Sequence, residues 1–221
     1  MSFARKAISY FNGLKSPNIR FNDVELINPY ESPAVKLVMR DFYNKFYNDE
    51  NQRIFVFGIN PGRFGGGLTG ISFTDPVALR EHCGIENALG ERKELSSKFI
   101  YMVTNEFGGT KKFFSGVFLT ALYPFAIIKN GKNYNYYDEK PLAQKLKPEI
   151  INTIKSQIKF GARRDFVVLL GKKNANYFSE INNEFKFFDN VIVLEHPRYI
   201  MQYRLKKKDF YIKKYIDAIS S

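Results

Sequence analysis

The chain has 221 residues, 44% of them hydrophobic and 25% charged. That is ordinary globular composition with enough length for a sizeable core, and it excludes an intrinsically disordered protein. Lys plus Arg number 34 against 22 Asp plus Glu, a formal net charge of +12, with a pI near 9.6. Such a surface attracts polyanions, and phosphate contacts carry most sequence-independent affinity for nucleic acid. The joint richness in Lys, Asn, Ile, Phe and Tyr is also what an AT-rich genome produces without selection for binding. One cysteine, Cys83, excludes an internal disulfide framework and a Cys-rich metal or iron–sulfur site. No apolar run is long enough for a membrane span, and the first residues lack the apolar core of a signal peptide. The expectation is a cytoplasmic, monomeric protein of one domain, 1–221, with no cofactor, no metal and no membrane partner. Its residues 1–50 form a helical N-terminal part and 51–221 an α/β core with a basic C-terminal helix.

In chain order, residues 3–12 read as a short helix ended at Gly13. Ser32-Pro33 is a hydroxyl cap followed by proline at the first position, and Val35, Val38, Met39, Phe42 and Phe46 then recur at helical spacing, predicting a helix over 33–47. An apolar run at 53–58 predicts a buried strand that feeds a Gly-rich segment, 58–70. Asp75-Pro76 opens a short helix closed by Gly84, and another covers 97–107 before Gly108-Gly109. The run 117–122 is a second buried strand, broken by Pro124. Residues 129–147 read as a long polar loop, and Pro148 as the start of a helix with Ile150, Ile151, Ile154 and Ile158 on one face. Residues 166–170 make a third strand, 173–185 a helix after Gly171, and 191–195 a fourth strand before the basic terminal helix. Four apolar runs without alternation, separated by helices, predict a parallel sheet covered on both faces. The fold class is therefore α/β: a three-layer α/β/α sandwich around a four-stranded, mainly parallel sheet.

Ligands of open α/β sheets sit outside the carboxyl ends of the strands. The first strand ends in Gly58-Ile59-Asn60-Pro61-Gly62-Arg63-Phe64-Gly65, the last in Glu195-His196-Pro197-Arg198. One strand end offers an amide, the other an imidazole. Asn60 also suits a plain turn beside Pro and Gly, and His196 a satisfied core histidine.

The first segment, continued through Thr69-Gly70-Ile71-Ser72-Phe73, resembles the first motif of the single-strand-selective monofunctional uracil-DNA glycosylases, which runs Gly-Met-Asn-Pro-Gly-x-Phe-Gly and then Thr-Gly-x-x-Phe at the same distance. That family's second motif begins His-Pro at the end of the last strand, here His196-Pro197. A strand ending in a Pro-containing turn lies between them, here Phe118 to Pro124, so the match spans about 53–204. The resemblance implies a uracil-DNA glycosylase-like fold and an enzyme that flips a deaminated base out of DNA and hydrolyses its N-glycosidic bond without a metal. DNA, single- or double-stranded, is then the partner.

The residue types suit that chemistry on their own terms. Cleavage passes through an oxocarbenium-like sugar and an anionic departing base, which require an oriented water and a hydrogen-bond donor to the base. Asn60 is the candidate that orients water, and His196 the candidate donor. Ile59, Pro61, Gly62, Phe73 and Ala121 are the expected base pocket, with Phe73 as the aromatic surface under the base. Phe73 is equally one of 22 phenylalanines and open to a core role. The glycines of 65–70 permit close backbone approach; a phosphate cradle is the other option, without the Lys-Ser/Thr of a P-loop. Gly65, Arg198, Tyr199, Tyr203 and Arg204 are the candidate DNA contacts. The segment after His196-Pro197 departs from the family's small polar residues and prolines. Apolar and aromatic side chains there can still wedge between base steps, and its arginines can meet phosphates. Lys206 to Lys208 suit DNA or a solvated face alike.

One departure touches specificity. The family's middle strand carries an asparagine that reads the flipped uracil, and Ala121 stands there. Thr120 is adjacent, but strand neighbours point to opposite faces. The expectation is an altered or broader base choice that includes xanthine or hypoxanthine. The alternative functions are a catalytically inactive DNA-lesion-binding protein on the same fold, which Ala121 motivates, and a nucleotide- or phosphate-binding enzyme using the Gly-rich loop.

Overall fold

A computed structural model describes residues 1–17, 21 and 23–220. The central sheet is built from β2 (Ile54–Gly58), β3 (Val117–Ala121), β6 (Phe166–Leu170) and β7 (Asn190–Leu194). Its order is β3-β2-β6-β7, and each neighbouring pair is parallel. Three of the four strands are buried at every position, which is why their sequences run apolar without alternation.

Alternate residues of β2 and β3 point into one covering layer. Phe55 and Phe118 meet Phe3 of α1 (Phe3–Gly13). Phe118 also meets Tyr47 of α2 (Pro33–Tyr47). Phe57 stacks on Phe178 of α8 (Lys172–Phe185), and Thr120 bonds Gln157 of α7 (Lys140–Gln157). The helices α5 (Leu95–Glu106), α9 (Pro197–Tyr203) and α10 (Lys208–Ile219) pack on one another in the other layer. The expected α/β/α sandwich with a four-stranded parallel sheet is what the chain builds.

Several local expectations change. The first fifty residues are not only helical: β1 (Val24–Ile27) pairs antiparallel with β4 (Ala126–Lys129), which pairs with β5 (Lys132–Tyr134) in a second, three-stranded sheet. The polar stretch 129–147 is therefore a hairpin and the first turns of α7 rather than a long loop. Asn130 and Gly131 both have positive φ, 49° and 68°, the geometry that an Asn-Gly pair gives a two-residue hairpin turn. Pro148 lies inside α7 and does not open it. The buried face Leu142, Ala143, Leu146, Ile150 and Ile154 runs through it, so apolar burial outweighs one lost backbone hydrogen bond. Short helices α3 (Gly66–Thr69), α4 (Pro76–Glu81) and α6 (Thr110–Gly116) complete the order.

The start of β2 is pinned by a buried cation. Arg53 is fully buried between the rings of Phe3 and Tyr47, 4.6 and 4.7 Å from their centroids. Its guanidinium donates to both carboxylate oxygens of Asp49, at 2.9 and 2.8 Å, and to the carbonyls of Phe114 and Phe46. Charge pairing and complete donation offset the cost of burying it. One residue thus ties α1, the end of α2, α6 and the sheet together.

Candidate active site

At the carboxyl ends of β2, β3 and β7 lies a cavity of about 460 Å³, within the usual range for a small-molecule pocket. It is lined by Ile59, Asn60, Pro61, Gly62, Phe73, Ala121 and His196, with Arg198, Tyr199 and Tyr203 also on its wall. Two motifs 136 residues apart in sequence (His196 less Asn60) thus open into one space.

Asn60 stands past β2 and is held by the hairpin. Its Nδ2 donates to the Tyr134 carbonyl at 3.0 Å, and its Oδ1 accepts from the Tyr136 backbone N–H at 3.2 Å. An amide oxygen has two lone pairs, so one remains for a further donor such as water. Behind it, the Tyr136 hydroxyl donates to Asn174 Oδ1 at 2.7 Å, and Asn174 Nδ2 caps the carbonyls of Phe57 and Gly58. Asn60 is therefore oriented by a strand end and a hairpin that are themselves tied together.

His196 caps α9. Its Nδ1 accepts from the Arg198 backbone N–H at 3.2 Å, which leaves Nε2 to carry the proton of the neutral ring. Burial, and then the Arg198 cation, push the imidazole down to about 4. The ring is neutral at physiological pH and offers an N–H donor.

Phe73 has a φ of +56°, a left-handed backbone rare for a bulky residue and of the kind that gathers at functional sites. Its ring tip presses on Gly58, where any Cβ would collide with it, and its centroid lies 6.0 Å from that of His196. Position 58 is glycine because an aromatic ring occupies the space above it. Ala121, paired with Gly58 in the sheet, contributes only a methyl. Thr120 is no substitute: its hydroxyl turns to the other face and donates to Gln157 at 2.7 Å.

Two expected DNA contacts do not line the cavity itself. Gly65 is buried and does not line the cavity. Its Cα is covered by the carboxyl group of Glu94, so Gly65 takes part in the packing of the loop. Arg204 is exposed outside the cavity, 5.3 Å over the Tyr199 ring. Sequence reasoning missed Glu94, Ser72, Ser96 and the hairpin residues Asn133, Tyr134 and Asn135, all of which line the cavity. The Asn130-Gly131 turn was the legible signal for the hairpin. Glu94 sits in a charged stretch, Glu91-Arg92-Lys93-Glu94, that reads as solvated, and its packing partners are distant in sequence.

Among the described residues no group of three or more His, Cys, Asp or Glu side chains is placed to hold a metal ion. None of their helices is long and apolar enough to cross a membrane.

A sequence profile of the Uracil DNA glycosylase superfamily matches residues 44–220. The chain belongs to that superfamily. The crystal structure of wild-type SMUG2 from Pedobacter heparinus is 39% identical in sequence and superposes with a TM-score of 0.96, covering 100% of this chain and 97% of that one. No curated protein matches. The likeness to the single-strand-selective type of uracil-DNA glycosylase thus extends over the whole fold, the second sheet included. The chain is a DNA glycosylase, a DNA-repair hydrolase whose substrate is DNA.

Proposed function

We propose that this glycosylase is monofunctional, extruding a deaminated base from DNA and hydrolysing its N-glycosidic bond with Asn60 and His196. The observation that carries this reading is that one cavity receives both an amide with one open lone pair and a neutral imidazole with one open N–H. Asn60 orients the attacking water through Oδ1. As the bond breaks, negative charge develops on the base, and His196 Nε2–H donates to it. A neutral donor suits this step, because it stabilises the developing anion without surrendering a proton beforehand. Among the described residues no lysine lines the cavity, which supports hydrolysis over a lyase step through an amine. Phe73 supplies the stacking surface, and Ile59, Pro61, Gly62 and Ala121 the remaining contour. Tyr199 and Tyr203 are exposed and in mutual contact at the mouth, which supports a wedge into the base stack, with Arg198 and Arg204 on phosphates. We further propose that the enzyme works as a monomer in the cytoplasm.

The base class follows from Ala121. With no amide on β3, the site accepts uracil together with xanthine or hypoxanthine. The same alanine favours the second reading, a lesion-binding protein without chemistry. Base release from oligonucleotides carrying one uracil, xanthine or hypoxanthine separates them. Asn60→Ala or His196→Ala is expected to slow release by about 100-fold or more. Wild-type release of uracil alone would remove the broader base choice. Tight DNA binding with no release would establish the second reading.

A further inference from the structure

The cavity contains one carboxyl group that the proposed chemistry does not use. Glu94 precedes α5, and its carboxyl oxygens lie over the Cα atoms of Gly62 and Gly65, where side chains at those positions would stand. The glycines of the Asn60 loop are, in this chain, the seat of a distant carboxyl. No described residue donates a hydrogen bond to it, whereas the neighbouring amides are engaged: Asn60 by the hairpin, Asn133 by the Arg63 N–H, and Asn135 by Asp138.

We propose that Glu94 is a base-contacting specificity residue, presenting an O–H donor and a C=O acceptor from a neutral carboxyl to the edge of the extruded base. It supplies from α5 the donor–acceptor pair that Ala121 cannot supply from β3. Uracil, hypoxanthine and xanthine share an edge on which an N–H adjoins a C=O, and a carboxylic acid pairs with that edge through two hydrogen bonds. The inference rests on the glycosylase reading and deepens it, giving the broadened base class a physical agent.

The surroundings favour the neutral form. Asp75, ahead of α4, approaches from one side and accepts the Glu94 backbone N–H at 2.9 Å. Arg198 of α9 is the opposing cation, and His196 lies in the same cavity. Burial, then Asp75, raise the Glu94 carboxyl to about 7, with Arg198 pulling the other way. A substantial protonated fraction is therefore present at neutral pH.

The test compares wild type, Glu94→Gln and Glu94→Ala in release of uracil from a single-uracil oligonucleotide between pH 6 and 9. In parallel, binding is measured to the same strand carrying 2′-fluoro-2′-deoxyuridine, which resists cleavage, against the unmodified strand. Melting curves confirm folding of each variant. Expected is a loss of about 10- to 100-fold in release for E94A, the scale of a lost hydrogen-bonded pair, with loss of its binding preference. E94Q, a permanent donor–acceptor, is expected to stay within about five-fold of wild type. Wild-type release should fall above the carboxyl's range while E94Q stays flat there, since His196 titrates far below. E94Q as impaired as E94A, with wild-type release rising with pH, would overturn the inference and make Glu94 the base that takes the water's proton. An E94A enzyme of full rate and unchanged preference would overturn it in favour of plain packing. If wild type released no base, the glycosylase reading would fall, and the binding preference alone would decide Glu94.

Discussion

At the scale of single residues, the site works by denying side chains their ordinary alternatives. Asn60 cannot rotate because both ends of its amide are bonded to the hairpin. His196 cannot change tautomer without losing its cap on α9. The depressed imidazole also has a consequence for stability. Its folded value, about 4, lies below its ordinary value of 6.5, so the unfolded chain binds the proton more readily. Stability present above pH 6.5 is then lost as pH falls through 4. His196→Asn retains a capping side chain but does not titrate. We expect wild type to lose on the order of 3 kcal/mol relative to H196N between pH 7 and pH 4, read from urea midpoints. A constant gap across that range would mean the imidazole is not held neutral by the fold.

At the scale of elements, the parallel strands deliver their carboxyl ends to the cavity, and the Arg53 cluster secures the opposite end of β2. Replacing Asp49 by Ala would leave the guanidinium buried without its countercharge. Breaking a buried pair from one side costs about 3 kcal/mol, which denaturant unfolding would register. Uracil release at low temperature should be unchanged, because the pair lies at the end of β2 away from Asn60. A D49A enzyme that is stable but slow would show that the anchor also shapes the site. The elements also mark where sequence reading succeeded. Ser32-Pro33 and Asp75-Pro76 caps, and uninterrupted apolar strands, announced themselves because their signals are local. The hairpin 126–134 was missed because its apolar strand, Ala126 to Ile128, is short and its return strand, Lys132 to Tyr134, is polar, despite the Asn-Gly turn between them. Helix α7 was entered late because proline was read as a boundary, where a buried face carried the helix through it.

At the scale of the whole molecule, the excess positive charge and the exposed residues after His196 suit a DNA-binding face around the cavity mouth. Arg198, Tyr203 and Arg204 are exposed there. Arg63 and Arg92 stand over the Phe64 ring, 4.5 and 5.1 Å from its centroid. DNA affinity should fall steeply with salt, and Arg204→Ala should reduce the slope of log K against log salt by about one, uniformly across sequences. An unchanged slope would remove Arg204 from the phosphate contacts.

The sequence by itself determined the layered fold, the two strand-end motifs, their order, and the amide and imidazole they carry. Each of these is written in contiguous residues: runs of buried side chains, caps and turn glycines. Only the tertiary structure decided what surrounds those groups. It brought Tyr134 and Tyr136 to Asn60, turned Thr120 away toward Gln157, buried Gly65, and set the Glu94 carboxyl on the glycines of the Asn60 loop. These are contacts between segments far apart in the chain, set by how layers pack, and no local pattern encodes them.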